Sequence, residues 1–135
     1  MKKTLYVIGC LAALNVVLIS AGELAAKKWD IPAEYASKKN PVKSSADGLD
    51  DAKTIWNKEC KVCHGATGAG DGVKAKNLAA SCGNLTTSEF HSNLSDGGIF
   101  YLSFIKTNPD HTFDKKIPDE TDRWNLVNYI RTLKK

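Results

Sequence analysis

The sequence predicts an all-α domain, because three stretches carry apolar residues at helical spacing with glycine and proline between them. Leu49, Ala52, Ile55, Trp56 and Cys60 form the first; Ile99, Leu102 and Ile105 form the second. The third has a broad apolar face, with Trp124, Val127 and Ile130 beside Leu126, Tyr129 and Leu133. At 135 residues the chain has room for one domain. The formal net charge is +4, or +2 without Lys2 and Lys3. That is too weak to argue for nucleic acid, and no basic stripe interleaved with aromatics is present.

Met1-Lys2-Lys3 followed by an apolar run from Leu5 to Ala21 reads as a charged start and hydrophobic core of an export segment. Residues 1–21 are a signal peptide, with small residues for cleavage at Ser20-Ala21-Gly22, or an uncleaved membrane anchor, since the run is just long enough to span a bilayer. Cys10 gives only a superficial likeness to a lipoprotein signal, because few apolar residues precede it and the run continues past it. With Lys2 and Lys3 inside, either reading exports the remainder. Residues 22–46 hold Pro32, Pro41 and several lysines without a sustained period, so they read as a linker or docking arm. Trp29, Ile31 and Tyr35 are unusual in a bare linker; they suit docking on the domain or a membrane interface.

The domain then runs over 47–135. Asp47 is expected to cap the first helix, with Asp50 and Asp51 in its first turn. After His64, four glycines lie between Gly65 and Gly72, a loop able to pass close to a flat group. It fails as a phosphate loop, since no Lys-Ser or Lys-Thr follows in register. A short helical turn is expected over 73–78. Cys82 reads as a small, partly buried side chain, and His91 is expected to face solvent. Ser95 opens the second apolar helix, which Asn108-Pro109 breaks. Ile117-Pro118-Asp119 opens the last helix, and Arg131, Lys134 and Lys135 suit its C-terminal end.

The first helix leads into Cys60-Lys61-Val62-Cys63-His64. Two cysteines two residues apart, followed at once by histidine, is the pattern for covalent attachment of a c-type haem. On a helical turn both sulfurs reach vinyl groups of one macrocycle, giving two thioethers, and His64 can offer its imidazole to the iron as proximal ligand. Two rivals use some of the same residues. A thioredoxin-like dithiol expects a βαβ unit, whereas the preceding residues read as helix. A zinc site could join Cys60, Cys63 and Cys82 with a histidine, but no second C-x-x-C completes it. A domain this small has a modest core, and a covalent haem would supply the apolar surface it needs to fold around.

This motif, the glycine-rich loop, Ser95-Asp96-Gly97-Gly98-Ile99-Phe100-Tyr101 and the stretch from Asp122 to Leu133 together resemble the small class I c-type cytochromes of bacteria. Asn40-Pro41 and Gly68-Ala69-Gly70-Asp71-Gly72 are similar to members with an exported, tethered haem domain. The likeness covers roughly residues 40 to 135. It implies a small cytochrome c fold whose N- and C-terminal helices cross beside one haem c, with Ala52 and Trp56 meeting Leu126 and Tyr129.

The chain departs from that family in one respect: it has no methionine after Met1. Counting back from Ile117 and Phe113, the positions of the family's Met-Pro ligand loop hold Asp110 and His111. A methionine–histidine haem is therefore excluded, and His111 is the candidate distal iron ligand. The implied function is one-electron transfer between redox protein partners in the periplasm or at its membrane, with no enzymatic activity. Lys58, Lys61 and Lys74 would steer an acidic partner. The alternatives are an open-coordination haem protein, peroxidase-like or gas-binding, and a haem subunit of a larger redox complex.

Overall fold

A computed structural model describes residues 29–79, 81–106 and 113–135. Residues 1–21, expected to be a signal peptide or membrane anchor, and His111, the candidate distal ligand, lie outside these residues. Among the described residues there are helices and no strand, and no helix is long and apolar enough to cross a membrane.

A short helix, α1 (Ala33–Ala36), precedes α2 (Ala46–Ile55). The cap of α2 is Ser45, not Asp47: the Ser45 hydroxyl accepts from the Gly48 N–H at 3.2 Å. Asp47 instead lies in the first turn, where its charge still suits the helix dipole. The chain continues from α2 through a wider π-helical turn, Trp56–Cys60, into α3 (Lys61–His64). A 3-10 turn at Ala75–Asn77 falls within the stretch expected to hold a helical turn. Next come α4 (Ser88–Asn93), capped by Thr87, and α5 (Asp96–Phe100), capped by Ser95 as expected.

A second π-turn, Tyr101–Ile105, succeeds α5 and closes with a bond from the Lys106 N–H to the Tyr101 carbonyl at 2.8 Å. It alters the face read from the sequence. Spacing by three assumes a regular helix, but one wide turn shifts the phase of the residues beyond it. Ile99 is buried as expected, while Ile105 is 39% exposed and Phe104 takes the inward place. Phe100 and Phe104 meet edge to face at 5.2 Å, and Phe100 stacks on Trp124 at 4.0 Å.

The last helix, α6 (Glu120–Thr132), is capped by Asp119, whose carboxylate accepts from the Asp122 N–H at 3.0 Å. Pro118 lies directly before this cap, so Ile117-Pro118-Asp119 opens the helix as expected. The helix α6 crosses α2, and the residues expected at that crossing are there. Ala52, Trp56 and Leu126 are buried, and the Trp56 ring lies 5.7 Å from Tyr129. Gly48 adds a contact one turn earlier: a Cβ there would fall 2.7 Å from Asn125 Oδ1. Small residues at 48 and 52 let the two backbones approach closely.

The segment before Ser45 packs on these helices. Ile31 is buried in the core, and Tyr35 lies 5.0 Å from Tyr101. Asn40 donates to the Trp124 carbonyl at 3.1 Å and to Asn128 Oδ1 at 2.9 Å, while Asn128 donates to the Val42 carbonyl at 3.0 Å. The Gly97 N–H donates to the Lys38 carbonyl at 3.1 Å.

Candidate functional site

Cys60 closes the first π-turn, and Cys63 and His64 end α3; all three are half-buried. The two cysteines stand three apart on one helical stretch, so their side chains lie on neighbouring parts of one face. Neither is in a disulfide. Burial, aided by the Glu59 carboxylate and Cys63, pushes the Cys60 thiol up to about 12. It stays a neutral thiol at physiological pH and is a poor nucleophile toward oxidants.

Aromatic rings seat the histidine. The His64 ring lies 5.8 Å from Trp56, which in turn lies against Tyr129. The imidazole is thus fixed against the α2–α6 crossing. Trp56 Nε1 is buried with no hydrogen-bond partner among the described residues.

The glycine-rich loop folds back on the motif. Gly70, Gly72 and Lys74 donate their N–H groups to the carbonyls of His64, Cys63 and Val62 at 2.9, 3.1 and 2.9 Å. These bonds occupy carbonyls that the end of a helix leaves open. At Gly72 a Cβ would come within 2.5 Å of the Cys63 carbonyl group, so the close approach requires glycine. The loop therefore passes close to the motif backbone itself, a role the sequence pattern alone did not assign to it.

Across the site, Glu59 pairs with Lys116 at 3.5 Å, and Lys116 lies 5.2 Å from the Phe113 ring. Phe113 and Leu102 pack at the edge of the core as half-buried apolar groups. Cys82 is half-buried, as expected. No group of three or more His, Cys, Asp and Glu side chains converges among the described residues, so Cys82 does not complete a zinc site. The lysines at 58, 61 and 74 are all exposed, with Lys58 3.7 Å from Glu59.

His91 departs from its expected place in solvent. It is half-buried, with Nε2 2.8 Å from the Leu85 carbonyl. Arg131 does more than offset the helix dipole. It donates to Asp96 at 2.8 Å and to the carbonyls of His91 and Leu94 at 3.1 and 2.7 Å. Sequence spacing carries no sign of these contacts, which join residues 35 to 40 positions apart.

The family model described as cytochrome c matches residues 49–134. The chain belongs to the cytochrome c family. No curated protein matches it. A cytochrome c binds haem c covalently, and Cys60 and Cys63 sit in the C-x-x-C-H position expected for it. The donor set of this cytochrome c fits that group: two thiols on one helical face, an imidazole directly after them, and half-buried apolar residues at the core's edge. Haem-based electron transfer and redox protein partners are implied in general terms by the family. The thioredoxin-like reading fails, since it needs strands around the dithiol and the motif lies in a helical run.

Proposed function

We propose that this cytochrome c is an exported one-electron carrier, periplasmic and either soluble or held to the membrane by residues 1–21. The observation that carries the reading is the C-x-x-C-H turn seated by Trp56 and Tyr129 against the helix crossing. When bound, the haem supplies exchange of one electron between ferric and ferrous iron. Cys60 and Cys63 would hold it by thioethers. His64 would give the iron a ring nitrogen, and the Trp56–Tyr129 pair limits how far its ring can turn. With no methionine after Met1 in the sequence, His111 would give the iron its second ring nitrogen.

Its partners are a redox protein that donates the electron and another that accepts it. The exposed lysines near Cys60 and Cys63 set the orientation of an acidic partner. Optical spectra taken during a potentiometric titration test the proposal. A carrier with two histidine ligands shows a single one-electron wave, is low-spin in both oxidation states and does not bind carbon monoxide. His111→Ala should become high-spin and bind it, while His91→Ala should not. A high-spin wild-type protein that binds carbon monoxide or turns over peroxide would support the open-coordination reading instead.

A further inference from the structure

Trp29, Ile31 and Tyr35 meet different fates in the fold. Ile31 is buried, and Tyr35 packs on Tyr101. Trp29 stays 39% exposed at the start of the arm. The arm behind it is fastened to the helices. The Lys38 ammonium lies over the rings of Tyr35, Phe100 and Trp124, at 5.6, 5.8 and 5.5 Å. The Ser95 hydroxyl donates to the Tyr35 carbonyl at 3.4 Å. With Ile31 in the core, the chain is fixed to the domain within two residues of Trp29.

The free link is therefore short. Only residues 22–28 separate Trp29 from residues 1–21. A link of that length reaches at most about 25 Å when fully extended. A domain of this size is roughly 30 Å across, so such a link cannot carry Trp29 far from the point where an anchor leaves the bilayer.

Exposed large apolar side chains are few among the described residues: Trp29, Val73 and Ile105. Two of them share one corner. Lys106 Nζ donates to the Trp29 carbonyl at 3.3 Å and lies 3.7 Å from Asp30 Oδ2. These contacts draw the residue after Ile105 onto the start of the arm. Lys27 and Lys28 come directly before Trp29. An indole with lysines beside it suits the headgroup layer, where the ring sits at the apolar boundary and the ammonium groups meet phosphate. The Asp30 carboxylate is set against Lys106 and offsets that one charge.

We propose that Trp29, Ile105 and Lys106 form the face that lies on the phospholipid surface when residues 1–21 span the bilayer. The face rests on the anchored form of the carrier. It leaves the lysines of the motif for a redox partner. Lys61 and Lys74 belong to another part of the fold, where the Lys74 N–H donates to the Val62 carbonyl at 2.9 Å. Lipid and partner are thus held by different side chains.

Photo-crosslinking of the full haem-loaded chain in phospholipid vesicles tests the face. The lipid carries a diazirine just below its headgroup, and labelled peptides are mapped by mass spectrometry after flotation of the vesicles. Peptides holding Trp29 and Ile105 should be labelled, and that holding Val73 should not, although Val73 is 77% exposed. Trp29→Ser should float equally well and lose most of the labelling at Ile105. A floating chain labelled equally at Val73 and Ile105, or not at Ile105, overturns the face alone, as does a variant labelled like the wild type. A chain that does not float with the vesicles overturns the anchored reading, and the face with it. Should the variant not fold, the wild-type ratio of Ile105 to Val73 labelling decides.

Discussion

Trp56→Ala removes the ring that joins the helix crossing to the haem motif. Trp56 is 1% exposed, 5.7 Å from Tyr129 and 5.8 Å from His64. Truncating a buried large aromatic costs about 3–5 kcal/mol in lost contacts and cavity. Its indole N–H, however, is buried without an acceptor among the described residues, whereas that of Trp124 reaches Glu120 at 3.1 Å. Removing an unsatisfied buried donor returns about 1 kcal/mol, so the net loss should be about 2–4 kcal/mol. Trp56→Phe keeps a ring against Tyr129 and His64 and deletes the N–H, so it should cost less than about 1.5 kcal/mol. Urea unfolding of the haem-loaded protein, monitored by far-ultraviolet circular dichroism, measures both. An alanine loss below about 1 kcal/mol would refute the crossing as described. A phenylalanine loss equal to the alanine loss would refute the unsatisfied indole.

Gly48→Ala should destabilise by about 1 kcal/mol, because overpacking against Asn125 Oδ1 outweighs the gain in helix propensity. Asn125→Ala in the same chain should remove most of that loss, and urea unfolding of the single and double variants checks it. Electron exchange with an acidic partner should slow as salt is raised, and Lys61→Gln with Lys74→Gln should flatten the dependence; a rate insensitive to ionic strength would remove lysine steering.

The helix crossing was legible because it is written in periodic apolar residues. Spacing gives the apolar face of each helix, whereas the meeting of Ala52 and Trp56 with Leu126 and Tyr129 comes from the resemblance to class I c-type cytochromes. The attachment motif was legible for a different reason: the distance between Cys60 and Cys63 is itself a chemical requirement. Periodicity misled where the helix stopped being regular. The π-turn at Tyr101–Ile105 put Phe104 inside and Ile105 outside, and nothing in a period-based count announces a wide turn. Ser45 and Asp47 are both good caps, so composition could not choose between them. At the far end, the helix opens at Ile117-Pro118-Asp119 as read, with Asp119 as its cap directly after Pro118. His91 was misplaced because its burial comes from Leu85 and from Arg131, brought in by the fold. Gly48 had a signal of its own: it lies one turn before Ala52, extending the stripe of small residues on one side of α2.

The most direct test of the site is whether haem stays with the chain once the fold is gone. Protein purified from an exporting host would be denatured and extracted with acid–acetone, and the intact chain weighed by mass spectrometry. Thioethers at Cys60 and Cys63 predict that the colour stays with the protein and that the chain carries the added mass of one haem. Haem passing into the organic phase, with a chain of unmodified mass, would contradict covalent attachment at the motif.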